Sequence, residues 1–196
     1  MLNPIKPALI MLLALTVLTG VIYPALVTLY AQTFFKDQAS GSLLYDAQSV
    51  PNGSQLIGQA FTNPKYFWGR PSATQPFPYN AAASSGSNLG PTNPALLALI
   101  KARIAAFQAA DPDNHFLIPI DLVTASASGL DPHISPAAAH YQVSRIARLN
   151  QISPKRIQKL VDDLAEARQW GILGEPRVNV LLLNRALTQL VATNER

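Results

Sequence analysis

The chain has 196 residues and no cysteine, which excludes disulfide bridges, thiolate catalysis and a lipid anchor on cysteine. Only 13% of its residues are charged and 48% are hydrophobic, where an ordinary soluble domain carries about 25% charged residues. The net charge is +4, and the nine acids and eleven bases after Ile100 nearly cancel, so no basic face points to nucleic acid.

Pro7 to Phe35 runs for 29 residues without a charge, between Lys6 and Lys36. A helix rising ~1.5 Å per residue crosses a ~30 Å hydrocarbon core in roughly 20 residues. The run predicts a retained single transmembrane helix over 7–35, since the apolar core of a cleaved signal peptide is only ~7–15 residues long. Tyr23, Tyr30, Phe34 and Phe35 fall where rings favour the membrane interface. Pro24 is expected to kink the span, with Gly20 leaving room for the bend. Lys6 biases the short flank 1–6 to the cytoplasm and sets 36–196 as a soluble, extracytoplasmic domain.

That domain reads as α+β. Asn52-Gly53 predicts a tight turn, with a short strand over Gln55–Phe61 after it. Six aromatics follow between Phe61 and Tyr79, too many for a disordered linker, so they make either a small core or a docking surface. Asn93-Pro94 predicts the start of a helix to about Ala109, with Leu96, Leu97, Ile100, Ile104 and Phe107 on one face. Leu117–Val123 reads as a short strand. Ser135-Pro136 predicts a helix to about Leu149, and Ser153-Pro154 another to about Gln169. Val178–Leu183 reads as a buried strand and Asn184 as the cap of a last helix.

Little in the chain looks catalytic. Ser126, Ser128, Asp131 and His133 contain the parts of a hydrolase triad, but the run lacks the first glycine of a nucleophile elbow. Hydroxyls that satisfy loop backbone are the expected role; a membrane-tethered serine hydrolase using Ser126 or Ser128 with His133 is the alternative. His115, His133 and His140 have no metal-site spacing, and no phosphate-binding glycine loop occurs. Gln142, Arg145 and Arg148 share a helical stripe, expected as a solvated face or, less simply, as a contact for an anion.

Five blocks then occur in order: Leu18-Thr19-Gly20-Val21-Ile22-Tyr23-Pro24, Gly58-Gln59-Ala60-Phe61, Phe67 to Ser72 (FWGRPS), Ser84 to Pro91 (SSGSNLGP) and Val123 to Ser135 (VTASASGLDPHIS). In them the chain resembles the C-type subunits of Kdp-type high-affinity potassium-transporting ATPases. The resemblance implies a non-catalytic accessory subunit in the cell inner membrane. It implies three partners: a channel-like potassium-binding subunit, a P-type ATPase subunit and a small single-span subunit, alongside membrane lipid. The family is described as needed for assembly and as raising the ATP affinity of the ATPase subunit. No cofactor is expected of this chain itself, with ATP reached through that subunit and Gln142, Arg145 and Arg148 as nucleotide-binding candidates. Phe67, Trp68, Arg70, Asn88, Ser126, Ser128 and Asp131 are the candidate partner interface. The chain carries neither a phosphorylation motif nor a potassium filter, so it is expected to be neither pump nor pore.

Overall fold

The computed structural model describes residues 4–194, and these divide into two compact units between Ser54 and Gln55. The first unit opens with one uninterrupted helical rod, Ile5–Phe34, long and apolar enough to cross a membrane and with none of its side chains buried. Within it, α1 (Ile5–Val17) passes through a π-helical segment (Leu18–Ile22) into α2 (Tyr23–Phe34). The segment lies just before Pro24, whose ring removes a donor and crowds the preceding turn. Tyr23 donates instead to the carbonyl five residues back, Leu18. The proline is thus absorbed by a wider turn. Thr19 and Thr33 return their hydroxyls to the carbonyls of Leu15 and Leu29, both at 2.7 Å, so they add no unpaired group to the rod.

A short α3 (Lys36–Ala39) leads into an antiparallel pair, β1 (Leu43–Tyr45) and β2 (Pro51–Ser54). Asn52-Gly53 therefore lies inside a strand. The turn falls earlier, where Asp46 Oδ1 accepts the backbone N–H groups of Gln48 and Val50, each at 2.9 Å. Asp46 thus closes the turn through its own side chain, the local bonding that favours Asp and Asn at such positions.

The second unit is a mixture of helix and small sheet. Residues from Gln55 to Asn93 are almost all irregular, with one 3₁₀ turn at Ala81–Ala83. Asn93 caps α4 (Pro94–Ala110) by accepting from Ala95 N–H at 2.9 Å. Phe107 is its one fully buried residue, and Leu97 points away from the core. The expected strand over Leu117–Val123 is an exposed strap ending in a 3₁₀ turn, Ile120–Leu122. Asp121 pins that strap: its carboxylate accepts Ser135 N–H at 2.7 Å, which ties it to the start of α5.

The predicted long helix is two, α5 (Pro136–Tyr141) and α6 (Val143–Asn150), meeting at Gln142. Ser135 Oγ caps the first by accepting from Ala138 N–H at 3.1 Å. The next helix, α7 (Pro154–Leu164), stops five residues early, and Ser153 makes no side-chain cap. Its predicted end belongs to a hairpin of β4 (Ala165–Glu166) and β5 (Arg177–Asn179). With β3 (His133–Ile134) these form an antiparallel sheet in the order β3-β5-β4, with Val178 opposite both Ile134 and Ala165. The last helix, α8 (Val180–Asn194), begins where a strand was expected, because Asn179 Oδ1 accepts from Leu181 and Leu182 N–H at 3.1 and 3.2 Å. The core gathers Phe67 and Trp68 with Phe107, Leu122, Ile134, Ile146, Ile157, Val161, Val178, Leu183 and Leu187.

Candidate functional site

Phe67-Trp68 is buried in a stretch without a sheet partner, so its peptide groups need side chains to satisfy them. Asn184 Oδ1 accepts Phe67 N–H at 2.8 Å, and its Nδ2 donates to Phe67 C=O at 3.0 Å. Gln142 repeats the pattern one residue on. Its Oε1 accepts Trp68 N–H at 2.8 Å and its Nε2 donates to Trp68 C=O at 3.1 Å. Each amide replaces one rung of a β-ladder, one from α8 and one from the α5–α6 junction.

Arg145 closes the clamp from α6. It is 1% exposed, and donates to the carbonyls of Pro64 and Tyr66 and to Gln142 Oε1. Its guanidinium carbon lies 4.6 Å from the Trp68 ring centre, an attraction strengthened by desolvation. Burial lowers its pKa to about 10, with the negative charge of Asp111 acting in the opposite direction. A second guanidinium, Arg103, lies 5.3 Å from the same ring and donates to Gly69 C=O at 2.8 Å and Leu122 C=O at 3.0 Å.

Beside this clamp the irregular segments are laced together. Arg70 Nη1 donates to Asp131 Oδ2 at 3.2 Å, and His133 N–H to Asp131 Oδ1 at 3.0 Å. Burial alone would raise the Asp131 pKa, but the hydrogen bonds from His133 and the Arg70 charge outweigh it and hold the carboxyl below its ordinary value. Tyr79 donates to Arg70 C=O at 2.6 Å, and burial pushes its hydroxyl up to about 12. Ser72 Oγ donates to Gly129 C=O at 2.7 Å and accepts Tyr79 N–H at 2.8 Å. Gly58 N–H donates to Leu130 C=O at 2.8 Å, and Ser85 N–H to Ser128 C=O at 3.1 Å. Gly58 and Gly129 are among the glycines needed here. A Cβ on Gly58 would stand 2.3 Å from Tyr79 Cε1, and one on Gly129, at φ +68°, 2.7 Å from Ser85 C=O. The four sequence blocks after the apolar helix therefore meet in one place.

The sequence-predicted residues divide between interior and surface. Gln142 and Arg145, read as a solvated face, are interior, with polar atoms engaged by the 64–68 segment. Arg148 is half-exposed and paired with Asp111 at 2.8 Å. Phe67, Trp68 and Ser126, expected at a partner interface, are also interior because they fill the core or close a loop. Asn88 and Ser128 are exposed, while Arg70 and Asp131 are half-buried. Ser126 Oγ accepts Gly129 N–H at 2.9 Å and Ser128 Oγ accepts Leu130 N–H at 3.1 Å, the loop-closing role expected of them. His133 Nδ1 faces Asp131 at 3.4 Å, and among the described residues neither hydroxyl is hydrogen-bonded to it.

Tyr79 and Arg103 were not anticipated, and Asn184, expected to cap the last helix, lies inside it and serves the Phe67 peptide instead. Asn184 left a usable sign: it sits on the apolar stripe Val180, Leu183, Leu187, where a polar side chain needs a buried partner.

A family model described as "KdpC: K+-transporting ATPase, c chain" matches residues 5–189, which takes in both units. The chain belongs to the KdpC family. Proteins named potassium-transporting ATPase KdpC subunit resemble it along nearly their whole length. That of Methylococcus capsulatus is 61% identical over 190 residues, 97% of this chain and 100% of the relative. That of Herpetosiphon aurantiacus is 60% identical over 185 residues, 94% and 95%. That of Variovorax paradoxus is 58% identical over 185 residues, 94% and 95%. The KdpC assignment agrees with the resemblance read from the motif blocks, and the serine-hydrolase alternative gains no support. As a KdpC chain it is a subunit of a potassium-transporting ATPase complex.

Proposed function

We propose that this KdpC chain acts as a non-catalytic accessory subunit, held in the cell inner membrane by the helix Ile5–Phe34. Its domain lies outside the cytoplasm and packs on the channel-like potassium-binding subunit. The assembly is completed by the P-type ATPase subunit and the small single-span subunit. The observation that carries this reading is that the Phe67-Trp68 peptide groups and the polar side chains around Asp131, all in the motif blocks, are engaged inside the chain. Motifs used for internal bracing suit a rigid binding body better than a reaction centre.

ATP affinity then changes through linked conformations of the complex, since an accessory partner that favours one state shifts ligand affinity in that state. Direct nucleotide binding through Gln142, Arg145 and Arg148 is the second reading. Only Arg148 presents an exposed guanidinium for it. Arg148→Gln should leave nucleotide photolabelling of the purified complex unchanged, and a clear loss would favour direct binding.

The primary test is affinity purification of the full chain from its membrane in mild detergent. Co-purification of an ATPase subunit and a potassium-binding subunit, with potassium-stimulated ATP hydrolysis, is expected. A chain recovered alone and inert refutes the accessory role.

A further inference from the structure

The β4–β5 hairpin, residues 165–177, is exposed along its whole length, and it keeps its charges apart from its apolar side chains. Glu166, Arg168, Glu175 and Arg177 stand toward the base in two cross-strand pairs. Arg168 Nη2 donates to both carboxylate oxygens of Glu175, at 2.7 and 2.8 Å, and Arg177 Nε donates to Glu166 at 2.9 Å. Beyond these pairs residues 169–174 carry no charge. They present Trp170 at 87%, Ile172 at 73% and Leu173 at 48% exposure.

The backbone of this tip is closed on itself. Gln169 and Leu173 exchange both backbone hydrogen bonds at 2.9 Å, Gly171 N–H donates to Arg168 C=O at 3.1 Å, and Ile172 N–H donates to Gln169 C=O at 3.2 Å. A segment that enters lipid must meet its backbone donors internally, because the acyl layer offers none of water's hydrogen bonds. Those of Gln169, Gly171, Ile172 and Leu173 are met in this way.

Area and charge narrow the occupant. Trp170 supplies roughly 150–250 Å², and the two aliphatic side chains beside it leave the tip well short of the ~800 Å² per partner of a standard protein interface. A lipid surface needs no such area when the chain carries its own tether to it. Ile5–Phe34 is long and apolar enough to cross a membrane, and only residues 35–54 separate that rod from the unit bearing the hairpin. A tethered contact is intramolecular, so a few side chains suffice. The paired charges below the tip cancel, which suits a zwitterionic headgroup layer and gives no preference for anionic lipid. Trp favours that layer, with an apolar ring and a single N–H donor.

We infer that the hairpin tip Trp170-Gly171-Ile172-Leu173 dips into the headgroup boundary of the lipid bilayer, a second membrane contact in addition to the apolar helix. The inference goes beyond the accessory-subunit reading and rests only on its membrane anchor.

The chain has two tryptophans, and Trp68 is buried in the core. The difference in emission between wild type and Trp170→Phe therefore reports the tip alone. The full chain is reconstituted in phosphatidylcholine vesicles, and flotation checks that the helix holds it there. Replacing the lipid by its dibromo acyl-chain analogue should remove most of the Trp170 emission, while aqueous acrylamide should leave it. Emission quenched by acrylamide and not by the bromolipid puts the tip in water and overturns the inference. Emission spared by both quenchers puts the tip against protein, a second copy included, and overturns it as well. A chain that does not float with the vesicles refutes the anchor itself, and the inference falls with it. Ile172→Asp places a charge in the tip that resists leaving water. It should restore the Trp170 emission in bromolipid and melt like wild type, because the residue is exposed.

Discussion

Asn184 and Gln142 reach the same dipeptide across sequence separations of 117 and 74 residues. Asn184→Leu keeps the branched shape but strands the Phe67 N–H and C=O in the core, at about 1–3 kcal/mol each. Urea unfolding of the detergent-solubilised chain should show that loss. Arg145→Lys should be nearly as damaging as Arg145→Ala, because an ammonium cannot span three acceptors that a planar fork meets together. Two groups give pH signatures. The Asp131 carboxyl is held below its ordinary pKa, so the folded chain keeps it ionised where the unfolded chain begins to protonate. Its stabilisation is complete above about pH 4 and disappears as pH falls further. The melting temperature of Asp131→Asn should start lower and approach that of wild type in acid. Tyr79 is shifted the other way, to about 12, so its contribution is present below about pH 10 and lost as pH climbs to 12. Tyr79→Phe should cost about 1 kcal/mol at neutral pH, and the gap should close across that alkaline window. Of these residues the sequence singled out Gln142 and Arg145, read as a solvated face or an anion contact, and Asp131, read as a loop or interface residue. It could not assign their tasks, since a polar side chain on a helical stripe looks alike facing water or facing a distant peptide.

Elements with a strong local signal start near where they were expected. The apolar helix, α4 behind its Asn93-Pro94 start and α5 behind Ser135-Pro136 all begin within two residues of where capping and periodicity set them. The misses share one cause. Strands of two or three residues are defined by what they pair with, so β3 and β4 leave almost no local trace, and the strand expected over Val178–Leu183 overlaps β5 only at Val178 and Asn179. The break at Gln142 is similar: nothing in the residues 136–149 forbids one continuous helix, and the pull comes from the Trp68 peptide. The irregular segments depend on close approach in the same way. Gly58→Ala forces Tyr79 and the Asp131 carbonyl to move, since the new Cβ would meet the latter at 2.8 Å. A loss of about 1–3 kcal/mol is expected from such overpacking, read as a lower urea midpoint with unchanged m-value.

For the molecule as a whole, the motif blocks end at Ser135, yet the residue that pairs the Phe67 peptide lies almost fifty positions later. A chain ended after Asn179 keeps all those blocks and should nevertheless lack a cooperative unfolding transition. The Asn184 clamp also sets a clock. Contacts between distant segments form slowly, since the loop between them must close first. Because Phe67 cannot be fully seated until α8 has been made, the second unit remains unlocked through most of its own synthesis. A nascent chain in that condition stays pliable until α8 has been made, and only then becomes rigid.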